Sequence, residues 1–262
     1  MIKLIASDVD GTLIHDYTDS VNPELFEIIK KFLDKDVLFF VASGRQHSNL
    51  KRVFEPIKDD IGFISENGAL VFYKGDLIKK DLLDRELVSK IVPHVIGKDK
   101  LEICICCQSY TYLIPKSQEF ADYLSINVNN DIKIVSSLDE IKEDVIKISF
   151  YSPDGITSEL QDEFLNTYSG QISQCMSAKN WYELMPLNSH KGNSIKHLQE
   201  LLSISPEETL VFGDNFNDRE MLQDAKYSYA MENANQELKN LANYTCDDVC
   251  VVMNELYDKF FG

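Results

Sequence analysis

The sequence predicts an α/β protein: a doubly wound, parallel-sheet (Rossmann-like) core with an inserted α+β cap domain. Three observations predict it. Short apolar runs at 2–7, 37–42, 61–64 and 209–212 are separated by helical patterns, as in strand–helix–strand units. The run at 37–42 is apolar at every position, which suits a strand covered on both faces. Between about 81 and 184 the pattern changes to short alternating strands with a few helices, as in a separate layer built on an antiparallel sheet. The expected domains are 1–81 for the first part of the core, 82–183 for the inserted domain and 184–262 for the rest of the core.

The first strand runs straight into Asp8-Val9-Asp10-Gly11-Thr12-Leu13. Asp8 and Asp10 are two residues apart, so both carboxylates project from the same side of extended chain. Gly11 permits a sharp turn, and Thr12 adds a hydroxyl. A helix follows from the cap Asn22 and from Pro23 to about Leu33, with Leu25, Ile28, Ile29 and Phe32 on one face. The strand at 37–42 ends in Ser43-Gly44-Arg45, and a helix over 47–54 follows. A strand at 61–64 is closed by Ser65-Glu66-Asn67-Gly68-Ala69. Residues 70–80 form a hairpin turning at Lys74-Gly75-Asp76.

In the insert, a helix over 84–95 precedes strands at 101–107 and 110–114, joined by the turn Gln108-Ser109. A helix is expected at 118–124. Residues 145–151 alternate cleanly, which predicts a strand with one wetter face. A helix at 158–165 and strands at 172–177 and 181–185 complete the insert. His190-Lys191-Gly192-Asn193 then opens a helix to about 202. The strand at 209–212 is closed by Gly213-Asp214-Asn215-Phe216-Asn217-Asp218, and a helix runs to about 225. A strand at 227–231 and a helix at 235–242 follow, and no internal repeat is visible.

The 262 residues are 44% hydrophobic and 26% charged, with a net charge of −17. So acidic a chain argues against nucleic acid and against anionic lipid as partners. An anionic substrate would need positive potential built locally, by a metal and a few placed cations. The apolar stretch at the amino terminus is short and closed by aspartates, unlike a signal peptide. The run at 37–42 is far below a membrane span. The six cysteines form no CxxC pair and the five histidines are scattered, which argues against a zinc site. Free thiols suit a reducing, cytoplasmic setting. The oligomeric state is not legible.

Three strands thus end in polar loops, and in a parallel sheet all carboxyl ends share one edge. That geometry can gather Asp8, Asp10, Asp214 and Asp218 with Ser43 and Lys191. Four carboxylates crowd one another unless a hard divalent cation joins them. Oxygen ligands without His or Cys favour Mg²⁺ over Zn²⁺. Lys191 could be an ordinary residue in a first helical turn, although the helix dipole disfavours a cation there. Ser43, Asp214 and Asp218 could each be helix caps, but caps alone do not explain the set of loops.

With these residues in view, the sequence resembles the haloacid dehalogenase-like hydrolases. The resemblance rests on Asp8-Val9-Asp10-Gly11-Thr12-Leu13, Ser43-Gly44-Arg45, Lys191-Gly192 and Gly213-Asp214-x-x-Asn217-Asp218. The order and spacing are most similar to the Cof-type phosphatases, which carry a large cap. Val41-Ala42-Ser43-Gly44-Arg45-Gln46 and Ser65-Glu66-Asn67-Gly68-Ala69 resemble the bacterial sugar-phosphatase branch. The resemblance implies a Mg²⁺-dependent phosphatase acting on a small phosphorylated metabolite, such as a sugar phosphate. It makes Asp8 the nucleophile that becomes an aspartyl phosphate, and Asp10 the acid and base. It has Mg²⁺ held by Asp8, Asp214 and the main-chain carbonyl of Asp10. Ser43, Gly44, Lys191 and Asn217 would bind phosphate, and Asp218 would orient Lys191 or metal-bound water. Arg45, Glu66 and Asn67 are expected at the pocket mouth, touching substrate or cap. Tyr110, Tyr112, Trp181 and Glu183 are candidates for sugar contacts, with core packing or a solvated strand face as the alternative. A phosphomutase on the same scaffold, and a non-enzymatic phospho-accepting signalling module, are the other readings open at this point.

Overall fold

The first strand, β1 (Leu4–Ser7), is buried along its whole length, so its backbone groups must bond to strands on both sides. The computed structural model describes residues 1–15 and 20–262. Helix α1 (Pro23–Leu33) starts where Asn22 accepts from the Glu24 N–H, and buries Leu25, Ile28, Ile29 and Phe32. Strand β2 (Leu38–Ala42), helix α2 (His47–Val53) and strand β3 (Gly62–Ser65) follow. The hairpin of β4 (Leu70–Tyr73) and β5 (Asp76–Lys80) turns through Lys74, at φ 51°, and Gly75.

The chain divides into two units. One comprises Met1–Arg45, Leu50–Lys79 and His190–Gly262, and the other Gln46–Asn49 and Lys80–Ser189. The second unit contains α3 (Arg85–Ile96), β6 (Glu102–Cys107), β7 (Thr111–Leu113) and α4 (Gln118–Asp122), which continues as a wider helical turn over Tyr123–Asn127. It also holds β8 (Ile132–Ile134), β9 (Val145–Tyr151), α5 (Ser158–Tyr168), β10 (Ile172–Ala178) and β11 (Trp181–Pro186). Its six strands run in the order β10-β11-β9-β6-β7-β8. Most neighbours are antiparallel, as expected, but β7 and β8 are parallel.

The expectation of a wetter face on β9 is wrong. Lys147 and Ser149 alternate with Ile146, Ile148 and Phe150, yet all five are buried. The polar face survives burial because Glu183 on β11 takes up its charge and hydrogen bonds. Lys147 Nζ lies 3.0 Å from Glu183 Oε2, and Ser149 Oγ also donates to that oxygen. Ser177 Oγ donates to Glu183 Oε1 at 2.8 Å. A buried polar group costs stability only when it is left unpaired, so periodicity alone misreads a satisfied ladder as a solvated one.

The first unit resumes with α6 (Lys191–Leu202), β12 (Thr209–Gly213), α7 (Arg219–Gln223), β13 (Tyr227–Met231) and α8 (Gln236–Lys239). The helix expected at 235–242 is thus shorter than its pattern. Strand β14 (Tyr244–Cys246) and helix α9 (Val249–Phe261) have no counterpart in the sequence expectations. The eight strands run β14-β13-β12-β1-β2-β3-β4-β5. All pairs from β14 to β3 are parallel, and β4 turns back antiparallel to β3. Strand order leaves β1 in one direction through β2 and β3, and in the other from β12 to β14. The reversal point of the sheet therefore falls between β1 and β12, and ligands of open α/β sheets bind outside the carboxyl ends there.

Candidate active site

Asp8 follows β1 directly, and its N–H donates to Phe212 O on β12 at 3.0 Å. Backbone pairing thus fixes this carboxylate at the reversal point. Asp214 follows β12, and Lys191 begins α6 with no exposed surface. Lys191 Nζ lies 2.5 Å from Asp8 Oδ1 and 2.6 Å from Asp218 Oδ1. Burial pulls the Lys191 ammonium down, but Asp218 and Asp8 outweigh it and hold the pKa above its ordinary value. An ammonium has three donors, so one N–H remains beyond these two bonds.

Both oxygens of Asp218 are engaged by protein donors. Its Oδ1 is on Lys191, and its Oδ2 accepts the N–H groups of Asp214 at 3.0 Å and Asn215 at 3.1 Å. It shapes the loop and aims the lysine. Asp8 is different: Oδ2 is buried and has no hydrogen-bond partner among the described residues. Burial drives the Asp8 carboxyl well above its ordinary pKa; Lys191 opposes this, while Asp218, Asp214 and Asp10 add to it. Asp214 is pushed up to about 6, by burial first and then by Asp218, against Lys191 and a hydrogen bond from Thr12.

One carboxylate oxygen each from Asp8, Asp214 and Asp218 lies within 4.8 Å of the others. An orphaned carboxylate oxygen in an all-oxygen cluster, with two carboxyls held above their ordinary pKa, fits a hard divalent cation of the Mg²⁺ kind. Gly11 makes this approach possible. Its φ is +90°, and a Cβ there would overlap the Asp214 carboxylate. Asn233, past the end of β13, donates from Nδ2 to Gly11 O at 3.0 Å and to Asp214 Oδ2 at 3.3 Å. Sequence reasoning missed Asn233. The signal was there: its loop follows another strand of the same sheet, and so lies on the same edge.

Asp10 sits in the loop closed by Gly11 N–H to Ile14 O at 2.8 Å. Arg45 grips it in a fork: Nη2 lies 2.6 Å from Oδ1, and Nε lies 3.2 and 3.0 Å from Oδ1 and Oδ2. Arg45 N–H in turn donates to Ser43 Oγ at 3.1 Å. Ser43 and Gly44 follow β2, and Ser43 O accepts from Asn67 N–H at 3.0 Å. Asn217 Nδ2 donates to Asn67 Oδ1 at 3.1 Å. All ten of Asp8, Asp10, Ser43, Gly44, Arg45, Asn67, Lys191, Asp214, Asn217 and Asp218 therefore belong to one unit and to the loops at one sheet edge.

The four aromatic and acidic candidates of the insert serve its packing. Tyr112 is buried in that unit's apolar core, its hydroxyl bonds Glu143 at 2.8 Å, and burial pushes its pKa to about 12. Tyr110 packs at the edge of the same core, with Lys133 Nζ 3.6 Å from its ring centre. Trp181 packs against a smaller cluster and lies 5.1 Å from the Tyr151 ring. Glu183 is committed to Lys147, Ser149 and Ser177.

Acids gathered at the reversal point of a parallel sheet, around one buried lysine, define an α/β enzyme whose chemistry is carried by carboxylates. The family model for haloacid dehalogenase-like hydrolases matches residues 5–251, and the chain belongs to that family. It is a phosphatase of the Cof type, a phosphoric monoester hydrolase. Among curated relatives, the 5-amino-6-(5-phospho-D-ribitylamino)uracil phosphatase YbjI of Escherichia coli K12 is 27% identical over 243 residues, 93% of this chain and 90% of the relative. YwtE of Bacillus subtilis, named for the same activity, is 27% identical over 272 residues, 93% of this chain and 92% of the relative. Two solved structures share the fold. A haloacid dehalogenase-like hydrolase from B. subtilis superposes with a TM-score of 0.86 at 24% identity, covering 97% of this chain and 100% of that one. The subclass IIB sugar phosphatase BT4131 gives 0.81 at 23% identity, covering 97% and 98%. Among the described residues, no helix is long and apolar enough to cross a membrane.

Proposed function

We propose that this phosphatase is Mg²⁺-dependent, hydrolyses a small polyhydroxylated phosphomonoester of the sugar-phosphate class, and works through an aspartyl phosphate on Asp8. The carrying observation is the split environment of the Asp8 carboxylate. Oδ1 is tied to Lys191, whereas Oδ2 is buried and has no hydrogen-bond partner among the described residues. A nucleophile must be held in position, and the Lys191 bond to Oδ1 does that, while the unpartnered Oδ2 is left for a cation or for phosphorus to meet. Relatives named for a phosphorylated ribityl compound support a hydroxylated carbon chain on the substrate.

Asp8 attacks phosphorus as the bond to the leaving alkoxide breaks, and Asp10 gives that alkoxide a proton. Asp10 then takes a proton from water, whose oxygen attacks the acyl phosphate. Inorganic phosphate leaves and Asp8 returns as carboxylate. Arg45 holds Asp10 in place while its carboxylate is ionised, and one Asp10 oxygen turns out of the fork to carry the proton. Ser43, Gly44, Asn217 and the remaining N–H of Lys191 bind phosphate oxygens. Asp8, Asp214 and the main-chain carbonyl of Asp10 would hold Mg²⁺. When bound, the ion screens the repulsion between an anionic nucleophile and an anionic ester. Six free thiols, five of them buried, suit a reducing, cytoplasmic setting.

The test is Asp8→Asn against wild type, with a panel of sugar phosphates and p-nitrophenyl phosphate, reading free phosphate. The variant is expected to fold and to lose turnover by several orders of magnitude. Free phosphate from wild type also separates hydrolysis from a mutase. Turnover that survives in Asp8→Asn would overturn the nucleophile, and full wild-type activity in excess EDTA would overturn the metal.

A further inference from the structure

The turn after β3 contains the most unusual backbone near the site. Glu66 and Asn67 have φ of 51° and 56°, and Gly68 follows at 102°. Two consecutive non-glycine residues in the left-handed region cost on the order of 1–3 kcal/mol each, and persist only where surroundings enforce them. A loop, a helix and a strand do so here. Glu66 N–H donates to Arg45 O at 3.2 Å, and Asn67 N–H to Ser43 O at 3.0 Å. Gly68 O accepts from Ser194 Oγ at 2.7 Å and Lys79 Nζ at 3.0 Å. A Cβ on Gly68 would lie 2.5 Å from His190 O, beside the start of the Lys191 helix.

The strain delivers one side chain. Asn67 is 1% exposed, and its carboxamide lies 3.0–3.3 Å from where a Gly44 Cβ would sit. Its Oδ1 accepts from Asn217. That bond fixes the amide and leaves Nδ2 buried without a hydrogen-bond partner among the described residues. A buried, unpaired amide N–H costs about 1–3 kcal/mol unless a ligand meets it. Gly44 and Asn217, the two residues beside this amide, both bind phosphate in the proposed mechanism.

We infer that Asn67 is a further phosphate-binding residue, donating from Nδ2 to an oxygen of the transferring phosphoryl group, and that the strained turn exists to hold it there. The inference rests on the phosphatase reading above and deepens it. It also bears on glycine at position 44, since a Cβ there would crowd the amide by a few tenths of an ångström.

The experiment uses full-length protein with Mg²⁺ and inorganic phosphate as the probe, read by calorimetry, with turnover measured in parallel. Asp and Gly both tolerate a left-handed φ, so Asn67→Asp and Asn67→Gly preserve the turn. Asn67→Asp presents an acceptor to an anion, and Asn67→Gly presents nothing. Both are expected to raise the dissociation constant for phosphate, by about tenfold to a hundredfold for Asn67→Asp, as for a lost hydrogen bond to a charged group. Melting temperatures should stay near wild type. Phosphate binding within twofold of wild type in both variants would overturn the inference, even with turnover reduced. Failure of the wild type to release phosphate from any ester would instead sink the phosphatase reading, and the calorimetry would still decide Asn67.

Discussion

Lys191→Met should unfold the protein more readily by an amount set by its two partners. The ammonium is fully buried between Asp8, which is 4% exposed, and Asp218, which is not exposed at all. Methionine keeps roughly the length of the stem and removes the charge. Breaking a buried ion pair by deleting one partner costs about 3–5 kcal/mol, because the other charge stays buried and unpaired. At about 2–4 °C per kcal/mol for a chain of this size, the melting temperature should fall by roughly 6–20 °C at pH 8. The loss must depend on pH with a definite sign. Without the lysine, the Asp8 carboxyl rises further above its ordinary pKa, and protonation removes the buried charge. The penalty is therefore full at pH 8 and shrinks toward pH 5. Adding Asp8→Asn and Asp218→Asn to Lys191→Met removes the charges that lost their partner, and should return most of the stability. Thermal unfolding followed by circular dichroism at both pH values measures all of this. A loss below about 1 kcal/mol at pH 8, or one that grows at pH 5, would refute the reasoning.

Two further predictions follow from the acids. Asp214 rises from an ordinary 3.8 to about 6 in the folded protein, so the folded state binds its proton more tightly than the unfolded chain does. Its ionisation then costs the metal-free fold on the order of 3 kcal/mol as pH rises through that window. Added Mg²⁺ should raise the melting temperature at pH 8 and barely at pH 5; equal shifts at both would contradict it. Arg45→Lys keeps a charge but cannot span both oxygens of Asp10. The pair is partly exposed, at 16% for the Arg45 side chain and 40% for Asp10, so stability should change by less than about 1 kcal/mol. Turnover should nevertheless fall about tenfold or more, with KM for substrate changed far less; unchanged kcat would exclude a role for the fork in holding the acid.

The legible parts of the fold were those where one residue pattern has one outcome. The all-apolar run at 37–42 had only a buried strand to become, and Asn22-Pro23 only a helix start. The missed parts were decided by packing. Val249-Cys250-Val251-Val252 reads as strand by propensity, yet it opens α9, capped where Asp248 accepts from the Cys250 N–H. Aromatic contacts hold it there, with Tyr257 and Phe261 packed edge-on to Phe32 at 5.3 and 5.9 Å. Tertiary burial outweighs the small helix penalty of β-branched residues. Strand β8 has only three residues, too few for its alternation to mark a strand. In the site, loops at strand ends made Asp8, Lys191 and Asp214 visible. The Arg45–Asp10 fork and the orientation of the Asn67 amide depend on side-chain reach across loops, which no one-dimensional pattern encodes.

A chain of net charge −17 that acts on a phosphate ester has an electrostatic problem, and the site makes it sharper. Among the described residues, Asp8, Asp10, Asp214 and Asp218 are paired with two cationic side chains, Lys191 and Arg45. An ionised site would therefore repel a phosphate dianion before any contact formed. A divalent cation erases the deficit of two, and only then do the phosphate-binding groups act without a net opposing field. Cation and substrate should then bind cooperatively, each tightening the other by the same factor because linkage is reciprocal. That coupling can be read without turnover, as phosphate affinity measured in Asp8→Asn across Mg²⁺ concentrations. Removing one of the four acids cuts the deficit to one. The variant should therefore bind phosphate more tightly than wild type in EDTA and gain less from Mg²⁺. Equal Mg²⁺ dependence in the two proteins would mean that the acid cluster does not set the charge balance of the pocket.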